Sequence, residues 1–131
     1  MKKKIAILGS TGSIGKSLLK ILSKQNKNIE IKLLTGNKNY RLLLKQAKKF
    51  NVKNIIVTDK KYYELALLKK DKRIKIYNNF EELNKIFSSK IDYVMSSIVG
   101  IQGMIPTIKI IKYTKNITIA NKEAIICAWS L

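Results

Sequence analysis

Three glycines near the start of the chain have the spacing of a phosphate-binding turn. Gly9, Gly12 and Gly15 follow an apolar run, and a helical pattern of apolar residues begins inside the turn. Gly9 lets the strand end turn sharply, Gly12 lets the backbone approach a diphosphate, and Gly15 lets a helix pack close to the strand. The start of that helix adds unpaired N–H groups and the positive end of its dipole. The turn therefore predicts a site for a dinucleotide.

A P-loop is the main alternative for the same residues. Residues 15–17 (Gly-Lys-Ser) match the end of that motif, but its first glycine falls at Ser10, and Gly9 lies one residue too early. In a P-loop enzyme the metal-binding aspartate ends an apolar strand. Neither Asp59 nor Asp92 has such a position. We therefore favour the dinucleotide turn, although its GxxGxxG spacing is a variant of the commoner GxGxxG. A glycine turn that binds nothing is the further alternative.

Residues 35–39 (Thr-Gly-Asn-Lys-Asn) follow the second predicted strand, where a dinucleotide fold meets the adenosine ribose. They lie roughly 20 residues after the glycine turn, as that fold expects. An acid here accepts from the ribose 2′-hydroxyl and selects NAD, but this segment has none. Lys38 can pair with a 2′-phosphate, and the asparagines can donate to it. We predict NADPH rather than NADH; the alternative is a plain turn with a surface lysine.

Length and composition restrict the class of protein. A chain of 131 residues with a 46% hydrophobic fraction suits one soluble domain with its own core. Cys127 is the single cysteine and histidine is absent, which argues against a disulfide scaffold or a Cys–His pair; we interpret Cys127 as a small buried apolar residue. The apolar run after the basic start is too short for a signal peptide or a membrane span. These features predict a cytoplasmic protein without a membrane partner.

The net charge of +19 raises the alternative of a nucleic-acid binder. The lysines are spread through every segment, however, and no arginine–aromatic stripe accompanies them. We interpret them as a solvated basic surface and predict no nucleic-acid partner. The charge would still attract a polyanionic cofactor.

Apolar runs alternate with amphipathic stretches along the whole chain. This pattern predicts an α/β fold of the Rossmann-like, doubly wound class, with a mostly parallel sheet and helices on both faces. The predicted strands are residues 4–8, 29–34, 54–58, 74–77, 93–95 and 116–120. Helices are predicted after the glycine turn, over residues 40–50, after an N-cap at Asp59, after an N-cap at Asn79, around Pro106 and from Ala124. The expected inward-facing residues include Ile14, Ile21, Leu67, Leu68, Ile108 and Ile111.

Four motifs, in this order, resemble one family. They are residues 9–15 (GSTGSIG), 37–39 (NKN), 98–100 (IVG) and 120–123 (ANKE). Together they resemble the N-terminal NADPH-binding domain of 1-deoxy-D-xylulose 5-phosphate reductoisomerase over nearly the whole chain. The resemblance implies an oxidoreductase of the non-mevalonate isoprenoid pathway. Such an enzyme isomerises its sugar-phosphate substrate and reduces the product with NADPH to 2-C-methyl-D-erythritol 4-phosphate. The resemblance also implies that the full-length enzyme binds a divalent metal, Mg or Mn, and is a homodimer.

The resemblance assigns cofactor contacts at three places. In the glycine turn they are Thr11, Gly12, Ser13 and Ile14. After the second strand they are Gly36, Asn37, Lys38 and Asn39, with Gly36 as the alternate because the family often has glycine where Asn37 stands. After the last strand, Asn121 and Glu123 match contacts near the nicotinamide, and Lys122 matches a substrate-binding residue. An ion pair at a helix start is the alternative role for Lys122 and Glu123.

No catalytic residue or metal ligand is assigned, because no acid follows Glu123 and a divalent cation needs clustered oxygen ligands. We expect residues 1–131 to be one NADPH-binding domain, truncated at its C-terminus, with the catalytic domain absent and no turnover by this chain alone. One alternative is the cofactor domain of another NADP-dependent reductase, such as aspartate-semialdehyde dehydrogenase. The other is a free-standing nucleotide- or nucleic-acid-binding module.

Overall fold

The computed structural model describes residues 2–25, 27–69 and 71–120. The strands of its single sheet are β1 (Lys3–Leu8), β2 (Ile29–Gly36), β3 (Asn54–Val57), β4 (Lys75–Tyr77), β5 (Ile91–Ser96) and β6 (Thr114–Ile119). The helices are α1 (Ser13–Leu22), α2 (Tyr40–Lys49), α3 (Lys60–Leu67), α4 (Leu83–Ile86) and α5 (Met104–Ile110), with 3₁₀ turns at Ile101–Gly103 and Ile111–Tyr113. The strand order is β4-β3-β2-β1-β5-β6, and each neighbouring pair is parallel.

Helices cover both faces of this sheet. Leu19 of α1, Leu43 of α2 and Ala66 of α3 pack in one apolar cluster, whereas Leu83 of α4 and Ile110 of α5 pack in the other. Alternate residues of β1 enter the two clusters, as the two-residue period of a strand requires. This arrangement confirms the predicted Rossmann-like, doubly wound fold.

The strand order reverses beside β1. The chain proceeds outward from β1 through β2 and β3 to β4, and then returns to the other side of β1 with β5 and β6. At such a reversal the connections leave the sheet on opposite faces, so a crevice opens at the carboxyl ends of the strands. The fold therefore places the crevice where β1 and β5 end.

The two helix caps expected from the sequence have different outcomes. The Asp59 carboxylate accepts a hydrogen bond from the Tyr62 N–H at 3.3 Å, which confirms the N-cap of α3. The Asn79 side chain accepts from the Glu81 N–H at 2.9 Å, but α4 begins only at Leu83. Asn79 therefore closes a turn ahead of α4, and its prediction as the N-cap was wrong.

Helix α1 buries a different stripe from the one predicted. Ile14 and Ile21 are 43% and 60% exposed, whereas Gly15 and Leu19 are buried. The apolar residues of this helix fit two overlapping stripes at helical spacing. A close contact between Gly15 and the preceding turn selects the stripe through Gly15, so Ile14 and Ile21 turn outward.

Two other helices also expose residues that were predicted to be inward. Leu67 and Leu68 are exposed at the end of α3, where Ala66 is the buried residue. Ile108 and Ile111 are exposed because α5 turns its Thr107–Ile110 stripe to the sheet. The Thr107 hydroxyl is fixed there by the Ser96 hydroxyl at 2.7 Å. Within the described residues, no helix has the length and apolar character needed to cross a membrane.

Replacement of Gly15 by alanine tests the close approach of α1 to the turn before it. A Cβ on Gly15 would lie 2.5 Å from both Gly9 O and Ser10 Cα, which are backbone atoms. Alanine favours a helix by about 1 kcal/mol over glycine, but overpacking costs about 1–3 kcal/mol. We expect Gly15→Ala to lower the free energy of unfolding, measured with denaturant. Ser17→Ala, on the exposed side of α1, is the control; a Gly15→Ala chain as stable as that control contradicts this account.

Candidate nucleotide site

A cleft of about 490 Å³ lies at the carboxyl ends of β1, β2, β3 and β5. Six of the residues predicted to bind a cofactor line it: Thr11, Gly12, Ser13, Ile14, Gly36 and Asn37. The structure therefore brings the glycine turn and the end of β2 to one site. Among residues 2–25, 27–69 and 71–120, the side chains that line this cleft are uncharged.

The glycine turn has a backbone conformation that only glycine adopts readily. Gly9 has a φ of +77°, and a Cβ there would lie 3.2 Å from the backbone nitrogen of Ile98. The Gly12 N–H donates to Gly9 O at 3.2 Å, and the Gly9 N–H donates to the Thr35 hydroxyl at 2.9 Å. The bond to Thr35 attaches the turn to the end of β2, and the close approach of Ile98 leaves no room for a side chain at Gly9.

The start of α1 presents backbone N–H groups next to the cleft. Gly12 is the N-cap, no side chain caps the helix, and the Lys16 N–H makes its first hydrogen bond, to Gly12 O at 2.9 Å. The N–H groups of Ser13, Ile14 and Gly15 therefore precede the helix's own hydrogen-bond ladder. Apart from Gly12's own chain neighbours, the one described atom within 4 Å of a Cβ built on Gly12 is Gly9 O, at 3.6 Å, so the described residues leave space around this position. These features fit the diphosphate of a dinucleotide.

A buried polar pair holds the turn against α2. The Ser10 hydroxyl donates to the Gln46 side-chain oxygen at 2.7 Å, and the Gln46 side-chain amide donates to Ser10 O at 3.0 Å. Ser10 is fully buried, and its N–H donates to Thr35 O at 2.9 Å. Sequence reasoning missed this pair. The available signal was a glutamine on the stripe of α2 that also carries Leu43 and Ala47.

The connection from β5 to α5 forms a wall of the cleft that adjoins the glycine turn. The Ser97 hydroxyl donates to Leu8 O at 2.6 Å and approaches Gly9 O at 3.2 Å. Gln102 and Pro106 also line this wall. Neither side chain was predicted as a site residue, although residues 98–100 contributed to the family resemblance. Ser97 therefore couples the end of β5 directly to the turn.

On the side away from β5, the cleft ends beside the carboxyl ends of β2 and β3. The Asn37 side-chain amide donates to the Thr58 hydroxyl at 2.7 Å, and Thr58 also lines the cleft. Lys38 is exposed and follows Asn37 directly, but it is not among the lining residues. Asn39 caps α2, accepting from the Leu42 N–H at 3.3 Å, so its side-chain oxygen is already engaged by the helix.

The remaining predicted residues, Asn121, Lys122 and Glu123, lie outside the described residues, as do Cys127 and the helix predicted from Ala124. The last described residue, Ala120, donates its N–H to Ser96 O at 2.9 Å. The chain therefore reaches the carboxyl end of β5 just before these residues.

The carboxylates whose pKa values are shifted lie away from the cleft. Asp92 accepts from the Lys4 N–H at 2.8 Å, and this hydrogen bond holds the pKa of Asp92 below its usual value. Hydrogen bonds from Arg73 likewise lower the pKa of Asp71. Among the described residues, no group of three His, Cys, Asp or Glu side chains is placed to hold a metal ion. The described part of the chain therefore does not fit a divalent-metal site.

Comparison with known proteins assigns the family. The family model for 1-deoxy-D-xylulose 5-phosphate reductoisomerase matches residues 5–129. The chain belongs to this family. A reductoisomerase of this name from Pelagibacter ubique is 58% identical over 132 residues, covering 98% of this chain and 34% of the relative. One from Phocaeicola vulgatus is 41% identical, covering 100% of this chain and 35% of the relative. The chain thus spans about a third of the length of these relatives.

Solved structures of the family share this fold. A Zymomonas mobilis reductoisomerase in complex with NADPH superposes with a TM-score of 0.88 and 26% identity, covering 99% of this chain and 35% of that one. Another, in complex with NADPH, fosmidomycin and magnesium, has a TM-score of 0.81 and 33% identity, covering 95% and 31%. These comparisons confirm the family resemblance and favour it over aspartate-semialdehyde dehydrogenase.

Loss of the Gln46 side chain tests the buried pair that holds the turn. We expect Gln46→Leu to lower the free energy of unfolding by about 1–3 kcal/mol, because Ser10 keeps a buried hydroxyl and carbonyl without their partner. Adding Ser10→Ala should cost less than the sum of the two single changes, since both remove one interaction. Denaturant unfolding of the three variants gives this cycle. Additive losses of stability would contradict the coupling. Gln25→Leu, at an exposed site, is the control, and a Gln46→Leu chain as stable as this control would also contradict it.

Proposed function

We propose that this chain is the NADPH-binding domain of a 1-deoxy-D-xylulose 5-phosphate reductoisomerase. The observation that carries this proposal is the glycine turn, whose open backbone and leading N–H groups of α1 meet the cleft at the reversal of strand order. Family membership and the similarity to a relative solved with NADPH support the same cofactor.

The order of strands arranges the cofactor along the cleft. The N–H groups of Ser13 and Ile14 bind the diphosphate beside β1. The adenosine ribose then lies at the end of β2, next to Asn37, because that strand is adjacent to β1 on one side. The nicotinamide half extends to the other side, where β5 ends. NADPH bound in this way supplies a hydride, and the protein's part is to position it.

The 2′-phosphate lies at the exposed end of the cleft, where Lys38 pairs with it. Residues 35–39 contain no acid to accept from a ribose 2′-hydroxyl, and an ammonium group there favours the phosphate. The Asn37 amide donates one N–H to Thr58 and offers its second to the phosphate, and the Asn39 amide lies beside it with the oxygen of Asn39 committed to α2. The proposed preference is therefore for NADPH over NADH.

The activity of the whole family protein is the wider part of this proposal. The full-length enzyme isomerises 1-deoxy-D-xylulose 5-phosphate and reduces the product to 2-C-methyl-D-erythritol 4-phosphate, as a cytoplasmic homodimer without nucleic-acid or membrane partners. Its Mg or Mn ligands and substrate-phosphate groups lie in the part of the family protein outside residues 1–131. The family resemblance gives Asn121 and Glu123 the role of cofactor contacts for the nicotinamide and Lys122 that of a substrate-binding residue. This chain alone binds NADPH and does not turn over substrate.

Titration of the chain with NADPH and NADH tests this function. We expect tighter binding of NADPH, and we expect Lys38→Ala to weaken NADPH about threefold to tenfold while leaving NADH nearly unchanged, since one partly screened ion pair is lost. Lys27→Ala is the matched control, because Lys27 is an exposed lysine before β2 at the opposite edge of the sheet. Isothermal calorimetry gives both affinities. Equal affinities of the unaltered chain for NADPH and NADH would contradict the 2′-phosphate argument.

A further inference from the structure

Most polar side chains in the cleft are already bound to the protein itself. The Thr35 hydroxyl accepts from the Gly9 N–H at 2.9 Å, and the Ser97 hydroxyl donates to the carbonyl at the end of β1. The Asn37 amide and the Thr58 hydroxyl bind one another at 2.7 Å. These groups shape the cleft, and their hydrogen-bonding capacity is largely used before a ligand arrives.

Gln102 differs from these groups. Its side chain is exposed and lines the cleft, and within the described part of the chain its carboxamide makes no hydrogen bond. The Thr11 and Ser13 hydroxyls of the glycine turn make no side-chain hydrogen bond among the described residues either. On the wall formed by the β5–α5 connection, where the Ser97 hydroxyl is committed, Gln102 is the described polar side chain that is uncommitted.

Hydrogen bonds hold the segment that carries Gln102. It lies in the 3₁₀ turn Ile101–Gly103, where the Gly103 N–H donates to Gly100 O at 3.2 Å and Gly103 is buried. The helix that follows is fixed to the end of β5 by the Ser96–Thr107 hydroxyl pair at 2.7 Å. A side chain carried on such a support loses little backbone freedom when it binds a ligand.

We propose that the Gln102 carboxamide binds the nicotinamide half of NADPH, an inference that rests on the function proposed above. The sheet order places β5 on the opposite side of β1 from β2, so Gln102 lies at the end of the cleft away from the adenosine. A carboxamide both donates and accepts, and so do the ribose hydroxyls and the carboxamide of the nicotinamide half. Gln102 thus reaches the ligand from the wall that the β5–α5 connection forms.

Two ligands distinguish binding of the nicotinamide half by Gln102 from an effect of Gln102 on the fold as a whole. NADPH reaches both ends of the cleft, whereas adenosine 2′,5′-bisphosphate has only the adenosine half. We expect Gln102→Ala to weaken NADPH about twofold to tenfold, the effect of one neutral hydrogen bond, and to leave the bisphosphate unchanged. Gln102→Glu should weaken NADPH further at low salt, because a carboxylate then lies beside an anionic ligand. Gln25→Ala, an exposed glutamine beyond α1, is the matched control and should change neither affinity.

The outcomes distinguish this inference from the proposed function. If the unaltered chain binds NADPH and the Gln102→Ala chain binds it equally well, the inference is overturned and the proposed function stands. A parallel loss of affinity for both ligands, with a lower melting temperature, would also overturn it, because Gln102 would then act through the fold. An unaltered chain that binds neither ligand, while circular dichroism shows it folded, would overturn the proposed function itself.

Discussion

The contact between Gly15 and the backbone of Gly9 and Ser10 is the constraint on which the site depends. At this contact a Cβ would lie 2.5 Å from backbone atoms, so α1 approaches the turn more closely than any side chain permits. The approach fixes where α1 begins, and Ser13 and Ile14 at its start line the cleft. It also decides which stripe of α1 is buried. One steric requirement therefore governs both the packing of the helix and the binding groups at its start.

Buried hydrogen bonds then hold the turn from three directions. Thr35 attaches it to β2, Gln46 attaches it to α2, and Ser97 attaches it to the end of β5. These bonds are worth more together than singly, because each buried group that loses its partner is left unsatisfied. The described side chains that line the cleft are uncharged. We therefore expect the net charge of +19 to attract polyanions at a distance, and the backbone N–H groups to bind the ligand once it is in the cleft.

Local patterns in the sequence were sufficient for the fold class and for six residues that the structure brings together in one cleft. The glycine spacing and the alternation of apolar runs required little tertiary information. The sequence could not predict which faces of α1 and α5 are exposed. Ile14 and Ile108 fit an apolar stripe at helical spacing just as closely as the residues that are buried. The Ser10–Gln46 pair joins residues 36 positions apart, so no local pattern reports it. Gln102 was missed because an exposed glutamine in a loop has no distinctive spacing.

The most direct measurement of the central claim is the response of backbone amides to NADPH, recorded as ¹⁵N–¹H correlation spectra of the labelled chain. The account predicts that the amide resonances of Ser13, Ile14 and Gly15 shift most on addition of NADPH, with smaller shifts at the end of β2. The same amides should respond to inorganic pyrophosphate. The account would be contradicted if NADPH binds while the amide resonances of the glycine turn do not shift and the shifts are concentrated on the lysine-rich helix surfaces.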